Sequence, residues 1–566
     1  MTPEPGDSDD ESVNIDDESV NIDDDLVNID GESVNIDGES LTPHDVERVA
    51  RLDAPVQLTD ASREAVEASR DRIREVLATD DPVYGVDTGF GELVETRISR
   101  DDLTRLQGNL VRSHAVGVGR ELSREEVRAL LVTRLNALAK GYSGVRVRVL
   151  SHLVTMLNEG VHPVVPSRGS LGASGDLAPL AHVALVLIGE GEADVDAETN
   201  PTQAESDSDS VRLSGEAALA RVGLEPLSLE PKEGLALING TQLTVGLAAL
   251  VVRDAERLLV SADAAGALTT EVSMGSTVPS SSVVSQLRPH EGQKSSAKNI
   301  RKLTTDSEII DSHRNCDRVQ DAYSIRCLPQ VHGAVRDAVT HLRDAVTVEL
   351  NSATDNPLVV PADAVDSRGA ITENAAVISA GNFHGEPLSL RLDYVSAALA
   401  ELASIAERRV DRLLNPNVQE SHLPPFLADE SGIESGMMIA QYTAAALVNE
   451  LRSMGRPAVD NATVSGGQED HVSMSATSAL TTRRALTRAT TVTAIELLCA
   501  AEAAEYVDAS LDHGRGTAAV YEAVRAVVPP LTDDRSLSPD IHAIERLLTT
   551  GALSERVSEA VDGELS

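Results

Sequence analysis

From about Arg221 onward, apolar residues, mostly Ala, Leu and Val, recur at helical spacing. The stretches from Leu392 to Leu414 and from Ser478 to Ala504 read as the clearest long helices, while strand patterns are weak and local. The predicted fold class is therefore mainly α. Thr42-Pro43 followed by Asp45 and Glu47 reads as a helix start, because Thr caps free backbone N–H groups and Pro is pre-set for the first turn. This places the start of the folded chain near Leu41. The longest uncharged stretch, from Gly234 to Val252, carries Asn239, Thr241, Gln242 and Thr244. That many hydrogen-bonding side chains predict a buried helix beside a polar site, not a membrane span.

The first 41 residues break the pattern. They hold 15 acidic side chains and no Lys or Arg. A seven-residue unit repeats at 11–17, 18–24, 25–31 and 32–38, each copy carrying Val-Asn-Ile-Asp. Its apolar pair sits at i and i+2, which is wrong for a coiled-coil seam. Leu26 and Ser33 stand where a calcium loop needs its first ligand. Residues 1–41 are therefore expected to form a disordered acidic arm. A lobe over 42–220 and a long-helix bundle over 221–566 follow. Eight acids and no base between 190 and 210 predict an exposed surface insertion in the lobe.

Composition narrows the function classes. Among 566 residues 41% are hydrophobic, which excludes global disorder, but only 2% are aromatic, so Ala, Val and Leu must fill the core. A net charge of −43 makes nucleic acid and anionic membrane poor partners. Five Lys stand against 43 Arg. An acid-flooded, Lys-poor surface suits very high salt, where the screening length falls to about 3 Å, and points to a halophilic source. Cys316, Cys327 and Cys499 are too few and too scattered for a disulfide framework or a thiolate metal site. With no basic n-region or apolar h-region at the N-terminus, a reducing cytoplasm is the expected location.

The run Gly169-Ser170-Leu171-Gly172-Ala173-Ser174-Gly175-Asp176-Leu177-Ala178-Pro179-Leu180 stands out. It is not a dinucleotide fingerprint, a P-loop or a nucleophile elbow, since the glycine spacing and the required Lys or second Gly are missing. Ala173-Ser174-Gly175 offers backbone chemistry instead. The Gly175 amide nitrogen, unobstructed by a Cβ, can approach the Ala173 carbonyl. Ring closure with loss of two waters, one taking the Ser174 hydroxyl, leaves a methylidene-imidazolone (MIO), an electrophile made from the chain itself. Taken alone, the same residues also fit a Gly/Ser turn leading into a helix.

Seven further motifs accompany it in order. They are Tyr84-Gly85-Val86-Asp87-Thr88-Gly89-Phe90-Gly91, then Leu106-Gln107-Gly108-Asn109-Leu110 with Ser113-His114, and Asn239-Gly240-Thr241. Gln320-Asp321-x-Tyr323-Ser324-x-Arg326, Asn356-Pro357, Gly381-Asn382-Phe383-His384-Gly385-Glu386-Pro387 and Gln468-Glu469-Asp470-His471 complete the set. Together they resemble the aromatic amino acid ammonia-lyases that carry MIO, over roughly residues 42–566. Ser113-His114 and Glu469 resemble the histidine-specific branch. The chain departs from the family in the acidic arm, the 190–210 insertion and the Ser-rich stretch from Ser276 to Ser285.

The resemblance implies a fumarase/aspartase-like architecture, an N-terminal lobe bearing the MIO loop plus a long helical bundle. It implies a homotetramer with shared active sites, MIO formed autocatalytically from Ala173-Ser174-Gly175, and neither a metal nor an added cofactor. The implied reaction is non-oxidative deamination of L-histidine to trans-urocanate and ammonia, the first step of histidine degradation. Alternatives are a tyrosine or phenylalanine lyase, an MIO-dependent aminomutase, or a catalytically inactive helical scaffold. The family assigns Tyr84 to abstraction of the β-proton, with Glu469 the other candidate base, and whether amine or imidazole attacks MIO stays open, the amine being favoured. Tyr84 also reads as an ordinary loop Tyr, and Glu469 as part of a buried ion network. Gln320, Tyr323 and Arg326, three apart, are expected on one side of a helix, with Arg326 holding the substrate carboxylate bidentately. Asn239 and Phe383 are expected against the prosthetic group, and His114 beside Ser113 on the substrate imidazole; each also fits an ordinary packed position.

Overall fold

The computed structural model describes residues 33–79, 83, 102–196, 210–314, 319–366, 371–561, 563 and 565. Tyr84 and its glycine-rich loop, and Cys316, lie outside the described residues. Residues Ser33–Ser566 form one compact unit, with no division at 220/221.

The centre is the 31-residue helix Gln242–Val272, about 46 Å long at 1.5 Å per residue. It packs against Ser475–Ala504, Leu328–Leu350, Glu386–Leu414 and Arg124–Ala139. It is buried on nearly every side, as a helix without a polar face must be. Small side chains such as Ala262, Ala265, Ala489 and Ala500 let the backbones approach closely, which is how a core poor in aromatics reaches full density. The helices expected from Leu392 and Ser478 run to the expected ends but begin earlier, at Glu386 and Ser475. Buried ion pairs tie the bundle together. Asp263 accepts from His332 at 2.8 Å and Arg336 at 2.6 Å, and Arg409 grips Glu496 at 2.5 and 2.8 Å. Among the described residues no helix is long and apolar enough to cross a membrane.

The strands are short, as expected, but two of them correct the sequence reading. The fourth copy of the repeat is not part of a disordered arm. Its Val34–Ile36 strand pairs in parallel with Val56–Leu58, Val34 opposite Val56, and Val34, Ile36 and Leu41 are buried. The alternation that fails as a coiled-coil heptad succeeds as a half-buried strand, because period two places Val34 and Ile36 on one face. Regular structure is thus present from Val34, ahead of the Thr42 cap. That cap is as read: Thr42 Oγ1 accepts from Asp45 N and the Asp45 carboxylate accepts from Thr42 N, both at 3.1 Å. The second correction is at 190–210. Glu192–Asp196 is the middle strand of an antiparallel sheet between Val161–Pro163 and Ser210–Ser214, so the ends of this stretch are strands where loop was read. Residues 197–209 lie outside the described residues.

Two expectations follow. Deleting residues 1–32 leaves stability within error. Deleting 1–41 exposes what Val34, Ile36 and Leu41 pack against, a loss of about 4.5–9 kcal/mol at about 1.5–3 per buried side chain, read by denaturant unfolding. The acidic excess sets the second. Many Arg side chains are already engaged, as where Arg51 bridges Glu125 and Asp254 and Arg212 bridges Glu121 and Asp194, so the surplus carboxylates repel unless screened. The melting temperature is expected to climb steeply from roughly 0.05 M to about 3 M salt; a flat profile contradicts the halophile reading.

Candidate active site

The segment bearing Ala173-Ser174-Gly175 joins the strand Pro166–Arg168 to the helix Leu177–Leu187. Its backbone is pinned by three other segments of the chain. Leu171 O accepts from Met474 N at 2.7 Å, and Gly172 O from Gly385 N at 3.2 Å and Ser473 Oγ at 3.0 Å. On the other side Asp176 N donates to Gly240 O at 2.7 Å, and Gly175 bridges Gly240. Gly175 is at φ +76°, where a Cβ would stand 2.1 Å from Gly240 O, so no other residue fits. Gly172, at φ +68°, is equally closed by Ser473 and Ser475.

Asp176 locks the segment to the bundle. Its carboxyl accepts from Thr244 N at 2.9 Å, Thr244 Oγ1 at 3.2 Å and Ser170 Oγ at 3.0 Å, at the N-terminal end of Gln242–Val272. Burial pushes this carboxyl up to about 6, against those hydrogen bonds. Sequence reading passed over Asp176, Thr244 and Gly240 as actors. Their signal was there: Asp176 lies inside the glycine motif, and Gly240 and Thr244 lie in the uncharged stretch.

The expected residues fall into two groups. Ser174 and Glu469 come together, Ser174 Oγ donating to Glu469 Oε1 at 3.1 Å. Asn239 caps the end of Glu233–Ile238, one residue before Gly240. Its Nδ2 donates to Asn356 O at 3.2 Å, while its buried Oδ1 has no partner among the described residues. Phe383 is half-buried in the loop whose Gly385 amide holds Gly172. Ser113 and His114 end the helix Leu103–His114. Three residues on, Gly117 borders Gly169, and Val118–Glu121 pairs with Pro166–Arg168, so this helix end stands at the rim of the segment. His114 Nδ1 lies 2.8 Å from Leu110 O. A carbonyl only accepts, so Nδ1 carries the proton and Nε2 is left as an acceptor.

The second group lies elsewhere. Gln320 is exposed and outside any helix, because the helix is only Tyr323–Arg326 and Ala322 before it is extended. The single helical face expected for Gln320, Tyr323 and Arg326 therefore does not exist. Tyr323 is 71% exposed, and the Arg326 guanidinium lies 4.7 Å from its ring centroid, with the Arg326 Nε unpartnered. Ser324 O accepts from Arg409 at 3.4 Å, 24 residues along the Glu386–Leu414 helix from Gly385, or about 36 Å. Tyr323 and Arg326 thus stand far from the Ser174 of their own chain.

Known proteins place this geometry. The profile of the aromatic amino acid lyase family matches residues 41–526. The chain belongs to that family. A probable histidine ammonia-lyase of Halobacterium salinarum is 61% identical over 93% of this chain and 98% of its own length. The histidine ammonia-lyase of Myxococcus xanthus is 48% identical over 91% of this chain and 96% of its own. Among solved structures, the histidine ammonia-lyase of Trypanosoma cruzi is similar at TM-score 0.82 and 36% identity, covering 94% of this chain and 96% of that one. The tyrosine aminomutase of Streptomyces globisporus is similar at TM-score 0.85 and 37% identity, covering 94% and 100%. The mainly α fold with its long-helix bundle is the fumarase/aspartase-like architecture of these lyases.

Members of this family use MIO, and the residues here fit it. Gly175 is the one residue type its site admits, and Asn239 presents an unpaired buried Oδ1 beside Gly240. Among the described residues no cluster of His, Cys, Asp or Glu is arranged to hold a metal ion.

Proposed function

We propose that this protein is a histidine ammonia-lyase that converts L-histidine to trans-urocanate and ammonia. The observation that carries the reading is the pinned Ala173-Ser174-Gly175 segment with Glu469 on Ser174, in a chain 61% identical to a probable histidine ammonia-lyase. MIO, formed from these three residues, supplies an electrophile that makes the substrate amine a better leaving group. Arg326, with its unpaired Nε, holds the carboxylate. Glu469 takes the ammonium end, and Tyr84 removes the β-proton, for which its phenol must be lowered from about 10. His114 Nε2, the free acceptor, receives the substrate imidazole N–H.

With Arg326 far from its own chain's Ser174, a second copy completes each site in this reading, which supports a homotetramer. The exposed apolar side chains around the Tyr323 helix, Val319 at 93% and Val278 at 71%, suit burial between copies. A cytoplasmic location is consistent with the free thiol Cys327 and the buried Cys499.

Substrate choice is tested by a pair of variants. His114→Leu removes one directed hydrogen bond, about 1–3 kcal/mol, so kcat/KM for histidine falls about tenfold to a hundredfold while relative acceptance of phenylalanine improves. Arg326→Lys weakens histidine and phenylalanine alike, since both present the same carboxylate. An unchanged histidine-to-phenylalanine ratio in His114→Leu removes His114 from the substrate site and favours a tyrosine or phenylalanine lyase or an aminomutase.

A further inference from the structure

Arg134, on the helix Arg124–Ala139, is 1% exposed yet has no carboxylate bonded to it among the described residues. One terminal nitrogen donates to Asn239 O at 2.9 Å and Gln242 Oε1 at 2.8 Å, while Nε and the other terminal nitrogen have no partner. The acid it feels most, Asp355, is already held by the buried Lys232 at 2.6 Å. Two buried cations therefore share one carboxylate. Burial lowers the guanidinium to about 10, so it stays charged at neutral pH.

This charge lies directly beneath the segment that carries Ser174. Gly240 separates the two. A Cβ on Gly240 would stand 2.9 Å from the Arg134 nitrogen, and a Cβ on Gly175 would stand 2.1 Å from Gly240 O. An unpaired buried charge is costly, and packing alone is served better by an apolar side chain.

We propose that Arg134, with Lys232, supplies a fixed positive field under Ala173-Ser174-Gly175 that drives their condensation, Arg134 acting as a positioning residue and not as a catalytic one. The inference rests on the prosthetic-group reading above. As the Gly175 nitrogen bonds to the Ala173 carbonyl carbon, negative charge builds on the Ala173 oxygen. In a dry site a preorganised cation stabilises that charge strongly. The Ala173 oxygen and the Ser174 hydroxyl oxygen leave as two waters. Their four hydrogens come from Gly175 N, Ser174 N, Ser174 Cα and Ser174 Oγ, so no oxidant or co-reactant is needed.

The test follows intact mass against time in full-length chain made by cell-free translation, for the parent, Arg134→Lys, Arg134→Gln and Gln242→Glu. Gln242→Glu keeps the acceptor at Oε1 and lets the Thr354 hydroxyl, now 2.6 Å from Gln242 Nε2, turn and donate. It pairs Arg134 with a carboxylate, which holds the fold while cancelling the field. The parent and Arg134→Lys are expected to lose two waters at rates within about threefold, with Arg134→Gln and Gln242→Glu at least about tenfold slower at an unchanged melting temperature. Loss at the parental rate in Gln242→Glu overturns the inference, and this variant decides alone if Arg134→Gln misfolds. A parent that never loses water overturns the prosthetic-group reading and this inference with it.

Discussion

Ser174→Ala is expected to abolish turnover while leaving melting temperature and assembly unchanged. Ala has no hydroxyl to lose, so the exocyclic methylidene cannot form and the intact mass stays at the full translated value. The fold does not depend on that hydroxyl. Among the described residues its only partner is Glu469 at 3.1 Å, whereas the segment is held by backbone bonds from Leu171, Gly172 and Asp176. The loss in kcat is on the order of a thousandfold or more, the scale on which removal of a reacting group acts. Parental activity in a correctly assembled Ser174→Ala enzyme contradicts covalent catalysis by this segment.

The second large effect comes from mixing. If Ser174 and Arg326 of one site belong to different copies, Ser174→Ala and Arg326→Ala chains, each inactive alone, regain activity when co-folded in equal amounts. Random assembly gives about a quarter of sites with both parental residues, hence about a quarter of parental activity. The basis is the separation of about 36 Å along the Glu386–Leu414 helix between the Gly385 level and the Arg409 level. A mixture that stays inactive, with hybrid assemblies demonstrated by mass, contradicts shared sites.

The glycine motif and the long helices were legible because each is a local signal. Periodicity marks Glu386–Leu414 and Ser475–Ala504, and Gly175 is dictated by a positive φ and a close backbone approach. What escaped was relational. Gln320-x-x-Tyr323-x-x-Arg326 has helical spacing, yet only four residues coil there, since the extended Ala322 precedes them. Val34-Asn-Ile looked like part of a repeating acidic arm, because nothing in three residues shows that Val56–Leu58 waits as a partner strand. Nothing in the sequence around Arg134 marks it out from other helical arginines. Only the fold shows that its hydrogen-bond partners are a turn carbonyl and an amide, and that the nearby Asp355 is already held by Lys232.

The most direct measurement is product analysis of the purified enzyme on L-histidine, with no metal or cofactor added. Trans-urocanate and ammonia are expected in equal amounts, with no β-amino acid and much slower release of cinnamate from phenylalanine or coumarate from tyrosine. Failure to form urocanate from histidine, or formation of a β-amino acid in its place, contradicts the proposed activity.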